Sequence, residues 1–256
     1  MTLLELPSEL ILLIALFLPE SALAHLLQVH RSLYKLLLPN LYQRHIRDSM
    51  LQEALFWCTA TGNEAAVKNF LHYGADVNAS MDMGPISHAK IHFQPWFNVQ
   101  TPLSIAANIG NDKLVALLLN HGANVLGFRS RHRVPTQPAV VDALLSGHES
   151  TVRLLLLHGS PIHDPDMEEG SLVNYAIMKG QISLLKLLVE FEADLNIPWE
   201  GRYPLNRAVS SRNLSTEIVQ FLLDNGADIT LANRRPGLLL NEASYGPIDT
   251  LRLLLT

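Results

Sequence analysis

Eleven histidines, a single cysteine and two tight arginine clusters are the residues of this 256-residue chain whose types invite a chemical reading. His88 and His92 are four apart, a spacing that would bring two imidazoles onto one helix face as metal ligands. Gly84 and Pro85 beside them read instead as loop, and no cysteine or nearby carboxylate completes a tetrahedral set. Cys58 stands alone, which excludes a disulfide framework and suits a reducing compartment, the cytoplasm or the nucleus. A lone cysteine inside an apolar helix is a small hydrophobe far more often than a nucleophile. The chain carries no glycine-rich phosphate loop, no paired catalytic carboxylates and no nucleophile signature, so neither catalysis nor a metal or cofactor is expected.

Arg129, Arg131, His132 and Arg133 form a compact basic cluster, and Arg234 and Arg235 occupy a corresponding turn further along. Two readings stand for them: solvated loops, or contacts for an acidic motif on a partner. Trp96 and Phe97 lie beside Pro95 in a loop, and Trp199, Arg202 and Tyr203 mark another turn. Trp, Tyr and Arg are the types most enriched at binding hot spots, so these positions are candidate partner contacts. Folding back onto the neighbouring helices is the competing reading for Trp96 and Phe97. With 19 Lys and Arg against 24 Asp and Glu, a net charge of −5, there is no electrostatic case for nucleic acid or an anionic membrane. The expected partner is protein, and the chain by itself is expected to be monomeric.

What would position such residues is a repeat. The segment Leu71-His72-Tyr73-Gly74-Ala75-Asp76-Val77-Asn78 returns around Gly122, Gly159, Glu192 and Gly226, at steps of 48, 37, 33 and 34 residues, so the underlying period is about 33. Gly62, Gly110, Gly147, Gly180 and Gly246 give a second anchor upstream of each leucine run. Within one unit, Thr101 is placed to cap a short helix with Pro102 at its first position. Gly110 ends that helix, and Leu114, Val115, Leu117 and Leu118 follow at helical spacing before Gly122. Such a pair cannot bury its apolar faces alone, so the units must stack into a solenoid.

Thr101-Pro102-Leu103 with Ala106-Ala107, and the recurring Gly-Ala-Asp-Val-Asn, resemble the ankyrin repeat. The resemblance covers residues 49–256 as about six units, beginning near 51, 100, 136, 171, 203 and 237, the last of them incomplete, with an insertion at 80–99. It implies an all-α solenoid with β-turn connections. Two departures matter, and one regularity goes with them. Pro138-Ala139-Val140-Val141 replaces the usual opening turn, which weakens the case for a first helix there. Glu192 replaces the turn glycine, at a cost of about 1 kcal/mol for a left-handed conformation. His72, His121 and His158 recur just ahead of the turn, where a donor can meet the last helical carbonyls.

Residues 10–18 are an apolar run that could pass for a secretory signal with Ala22-Leu23-Ala24 as its cleavage site. Glu5 and Glu9 precede it, however, and the first basic residue is Arg31. The run is about half of the roughly 20 residues that a membrane span needs. A helix apolar all round must be buried all round, and a unit of this size cannot surround it. Another polypeptide, or the first repeat unit, must cover it. Leu6-Pro7-Ser8-Glu9-Leu10, Ile14, Leu18-Pro19, Leu23, Leu26, Val29 and Leu33-Tyr34 resemble the F-box, a three-helix domain here spanning residues 1–48. An F-box followed by ankyrin repeats is similar to a group of fungal proteins. The resemblance implies a substrate-recognition subunit of an SCF-type cullin ubiquitin ligase. Leu6, Pro7, Leu10, Ile14, Leu18, Pro19, Leu23 and Leu26 would then meet the linker subunit, and through it the cullin. The alternative is a plain ankyrin scaffold whose N-terminal helices cap the solenoid.

Overall fold

Left-handed residues at Gly62, Gly74, Gly110, Gly122, Gly147, Gly159, Gly180, Glu192 and Gly226 mark where nine of the described helices of the repeat region stop. The computed structural model describes residues 51–82, 99–126, 137–164, 170–210, 216–233, 238–244 and 247–255. Residues 1–48, with the F-box resemblance and all eight proposed linker contacts, lie outside them. So do Trp96, Phe97, Arg129, Arg131, Arg133, Arg234, Arg235, His88 and His92.

Among the described residues the helices come in pairs. They are α1 (Leu51–Ala60) with α2 (Glu64–His72), α3 (Pro102–Asn108) with α4 (Asp112–Asn120), and α5 (Ala139–Leu145) with α6 (Glu149–Leu157). Then come α7 (Leu172–Lys179) with α8 (Ile182–Glu190), α9 (Pro204–Ser210) with α10 (Thr216–Asp224), the single turn α11 (Ile229–Ala232), and α12 (Leu238–Ala243) with α13 (Ile248–Leu255). The first helices α1, α3, α5, α7, α9 and α12 pack in that order as one layer. In the second layer α2 meets α4, α4 meets α6, α6 meets α8, and α10 meets α13. Among the described residues the helices are accompanied by one two-stranded antiparallel ladder, β1 (Met81–Asp82) and β2 (Val99–Gln100), that closes the base of the insertion, and by isolated bridges His163–Ser171 and Trp199–Arg202. None of the described helices is long and apolar enough to cross a membrane.

The local chemistry of α3 is the one its sequence predicts. Thr101 Oγ1 accepts from Ser104 N–H at 3.1 Å while Ser104 Oγ accepts from Thr101 N–H at 2.8 Å, a reciprocal cap, and Pro102 fills the first turn. Helix α5 has no such cap, because Pro138 at its start offers no side-chain acceptor. It forms nonetheless, since Val140, Val141, Ala143 and Leu144 are wholly buried between neighbouring units, and tertiary burial outweighs a weak start. The buried alanines 106, 107, 143, 176 and 208 let the first helices approach closely. Glu192 adopts φ 59° and keeps the turn: its N–H bonds Val189 O at 3.0 Å, and Ala193 N–H bonds Leu188 O at 3.0 Å. Gly122 and Ala123 make the same pair of bonds to Leu119 and Leu118.

Two of the three turn histidines behave as expected, with His121 Nδ1 2.9 Å from Leu117 O and His158 Nδ1 2.8 Å from Leu154 O. His72 is a correction. It stands two residues ahead of Gly74 rather than one, and its ring instead meets Tyr73 edge-on at 5.1 Å between centroids.

Gly110 carries a double constraint, φ 69° and the His148 ring, whose atoms would lie 2.5–2.7 Å from an added Cβ. That ring donates from Nε2 to Asn108 O at 3.0 Å and so ties α6 to α3. Gly74 has φ 92° with open space around it. Gly74→Ala should therefore cost about 1 kcal/mol of backbone strain, and Gly110→Ala about twice that. With roughly 2–4 °C of melting temperature per kcal/mol in a chain of this size, thermal denaturation reads the difference directly. Equal losses would show that the His148 contact contributes nothing.

Candidate protein-interaction face

Three of the turns after second helices are joined to the next turn by a side chain four residues past the turn position. Asn78, four past Gly74, accepts from Asn124 N–H at 2.7 Å and donates to Gly122 O at 3.2 Å. Asn196, four past Glu192, accepts from Asp228 N–H at 2.8 Å and donates to Gly226 O at 2.9 Å. Each asparagine thus serves both a donor and an acceptor of the next turn, which would otherwise be orphaned. His163 holds the same place, four past Gly159. Its Nε2 accepts from Asp194 N–H at 3.1 Å, and its Nδ1 faces Ser171 Oγ at 3.1 Å. An imidazole that accepts at Nε2 must be neutral. Burial lowers its pKa below the ordinary histidine value, and the Asp194 carboxylate acts in the opposite sense.

The first-helix layer presents the second part of the surface. Positions five, two and one residue ahead of the helix-ending glycine share one helix face. In successive units the fifth position is Trp57, Ile105, Asp142 and Tyr175, and Arg207 holds it in α9. Trp57 is 66% exposed, whereas Ile105 is buried in a small cluster with Phe56 and Ala79. The second position gives Asn108, Leu145 and Met178, the last 46% exposed. Neighbours along this face touch: Asn108 Nδ2 donates to Ser146 Oγ at 3.2 Å, and Arg207 Nη1 lies 4.0 Å from Met178 Sδ. The face is apolar at its first unit and polar in its middle. Cys58, on the same helix as Trp57, packs against the core with its thiol pKa raised by burial, as befits a small hydrophobe.

Comparison with known proteins agrees with this architecture. A model of ankyrin repeats in three copies matches residues 140–233, and a single ankyrin repeat model matches residues 98–127. These segments are ankyrin repeats. The chain is 28% identical over 155 residues to the potassium channel AKT2/3 of Arabidopsis thaliana, covering 60% of this chain and 18% of that protein. It is 26% identical over 148 residues to the ankyrin repeat and KH domain-containing protein mask-1 of Caenorhabditis elegans, covering 58% of this chain and 5% of that one. An ankyrin repeat protein of fowlpox virus is 30% identical over 131 residues, covering 49% of this chain and 37% of its own length. The chain therefore spans well under half the length of each of these relatives.

Three candidate contacts from the sequence fall among the described ankyrin residues. Trp199 and Arg202 face each other across a two-residue turn, exchanging N–H···O bonds of 2.9 Å, with Glu200 and Gly201 at φ 50° and 75°. The Trp199 indole lies over Gly170 and lines a cleft of about 320 Å³ with His163, Asp164, Ser171 and Asn174. Arg202 reaches Glu242 of the next unit at 3.7 Å. Tyr203 is half-buried, and its N–H bonds Asn206 Oδ1 at 3.2 Å at the start of α9. Among the described residues no group of three His, Cys, Asp or Glu could hold a metal ion. Sequence reasoning passed over Trp57 and Asp142, although counting five residues back from each glycine finds both.

The His163 joint carries a sign. The unfolded state binds the extra proton more readily than the folded one, so stability is complete above the free histidine pKa of about 6.5 and declines as pH falls below it. His163→Asn, the residue the other two joints use, should flatten this slope between pH 7 and pH 5 while preserving the turn. Parallel thermal melts of the two proteins across that range check it; identical slopes would remove His163 from the account.

Proposed function

We propose that this chain is a protein-binding adaptor of an SCF-type cullin ubiquitin ligase. Residues 1–48 dock the linker subunit, and the ankyrin array holds a target protein. The observation that carries the binding half is the face bearing Trp57, Asp142 and Met178 on stacked ankyrin units. The ligase half rests on the F-box-like residues at the N-terminus, above all Leu6, Pro7, Leu10 and Ile14. The mechanism is proximity: one end is fixed on the ligase while the other holds the target within reach of the ubiquitin donor. No residue of the chain takes part in bond making. The site of action is the cytoplasm or nucleus, in keeping with one free, partly buried cysteine.

Each buried leucine is worth roughly 1.5–3 kcal/mol, so Leu10→Asp with Ile14→Asp should abolish co-purification with the linker subunit and cullin while the melting of the ankyrin array is unchanged. Retention of both partners by the double variant would overturn the ligase role. A scaffold with an N-terminal cap is the second reading, favoured by the burial of Leu55 and Phe56 in α1, the first described helix. A chain beginning at Ser49 distinguishes them: an unchanged melt excludes the cap, and loss of the first ankyrin unit supports it.

A further inference from the structure

Asp142 is a carboxyl set where its neighbours cannot serve it. It stands in the middle of the first-helix face, between Ile105, which is wholly buried, and Tyr175, whose hydroxyl accepts from Gln137 Nε2 at 2.6 Å. Among the described residues no side chain or backbone donor bonds its carboxylate, while its backbone carbonyl accepts from Ser146 N–H at 3.1 Å. Of the charged groups on the helices packed against α5, Glu149 and Arg153 lie on α6 and Lys179 on α7, and among the described residues none pairs with Asp142. His148 bonds Asn108 O, and Arg153 pairs with Glu190 at 2.7 Å in the second layer. Burial pushes the Asp142 carboxyl up to about 8. Yet the side chain remains partly accessible from solvent.

A carboxyl without a partner destabilises a repeat in which any small apolar residue would stack better. Its position therefore makes sense when the missing charge arrives from outside. We propose that Asp142 anchors a guanidinium or ammonium side chain on the extended protein segment that the first-helix face binds. This rests on the reading of the ankyrin array as a target-binding surface and names the chemistry of its target. Packed helices are 8–10 Å apart, so Trp57 on α1, two helices away, lies about 16–20 Å from Asp142 along the layer. An extended chain rising about 3.3 Å per residue covers that in five or six residues. The fitting segment therefore carries a bulky apolar residue and, five or six positions away, an arginine or lysine. A charge-assisted bond to a carboxylate out of water supplies both strength and selectivity.

The probe is a displayed library of random peptides of about 12 residues, long enough for one such step on either side of an anchor, selected against the full chain. Enriched peptides should share a basic residue at that spacing from an apolar one. Their affinity should fall about tenfold or more in Asp142→Asn, the range expected for a lost charged hydrogen bond. Binding to the wild type should also tighten from pH 6 to pH 8, as the carboxyl ionises, while binding to Asp142→Asn stays flat. Asp142→Asn removes only the ionisable group, and its melting temperature at pH 8 should equal or exceed that of the wild type, which separates lost binding from lost folding. Enrichment of peptides without a basic residue, equal affinity for Asp142→Asn, or no enrichment at all would overturn the proposal. So would a fall in the carboxyl-carbon titration midpoint of Asp142, followed by NMR, that depends on Arg129, Arg131 and Arg133, since the chain would then supply its own cation. A chain that still recovers the linker subunit but ignores Asp142 fails here alone; one that recovers neither linker nor peptide fails in both respects.

Discussion

Each ankyrin unit of this chain has an apolar face that only its neighbour can cover, and the rest of the structure follows from that dependence. A helix of six to ten residues is marginal in water, yet six such pairs stand because Leu103, Val140, Leu172 and Leu205 each reach full or nearly full burial against the adjacent unit. The same stacking explains why α5 survives a poor cap and why Glu192 tolerates a left-handed backbone. In both places the neighbouring units over-determine a conformation that the local sequence would not hold.

Stacking also leaves backbone groups at the turns that need partners, and these are served by Asn78, His163 and Asn196. A second set of links runs between the helices: Thr151 Oγ1 donates to Asp112 Oδ1 at 2.6 Å, and Arg153, paired with Glu190, lies 5.9 Å from the Phe191 ring centre. These bonds cross from one unit to the next rather than closing within a unit. They hold the spacing of the first-helix face, which is what a binding surface built from separate helices requires.

The fold was legible because several unrelated positions agree at one period. Thr101, Pro102, Gly110 and Gly122 each perform the task that their type and place imply. The site was less so. His163 hides its role because an imidazole and an amide look unlike each other until the four-residue offset from Gly159 aligns it with Asn78 and Asn196. Trp199 and Arg202 read as candidate contact residues of a turn, and the structure adds partners that are remote in sequence and invisible to pattern: the indole lies on Gly170, and the still exposed guanidinium reaches Glu242. Trp57 and Asp142 were missed for the opposite reason: in a sequence this rich in apolar helices, a single Trp or Asp at a helix position says nothing until the face it belongs to is known. The comparisons bear on the ankyrin segments, while the F-box resemblance rests on the residues of the first 48 positions alone.

The claim on which the functional account depends is that units and turns form one cooperative body. Native-state hydrogen exchange at the amides of Asn124, Asp194 and Asp228 tests it most directly, since each donates to a side chain of the preceding unit. The account predicts protection comparable to that of the buried helix amides on either side. Exchange at the rate of an open loop would mean that the turns are not locked together and that the face they support has no fixed geometry.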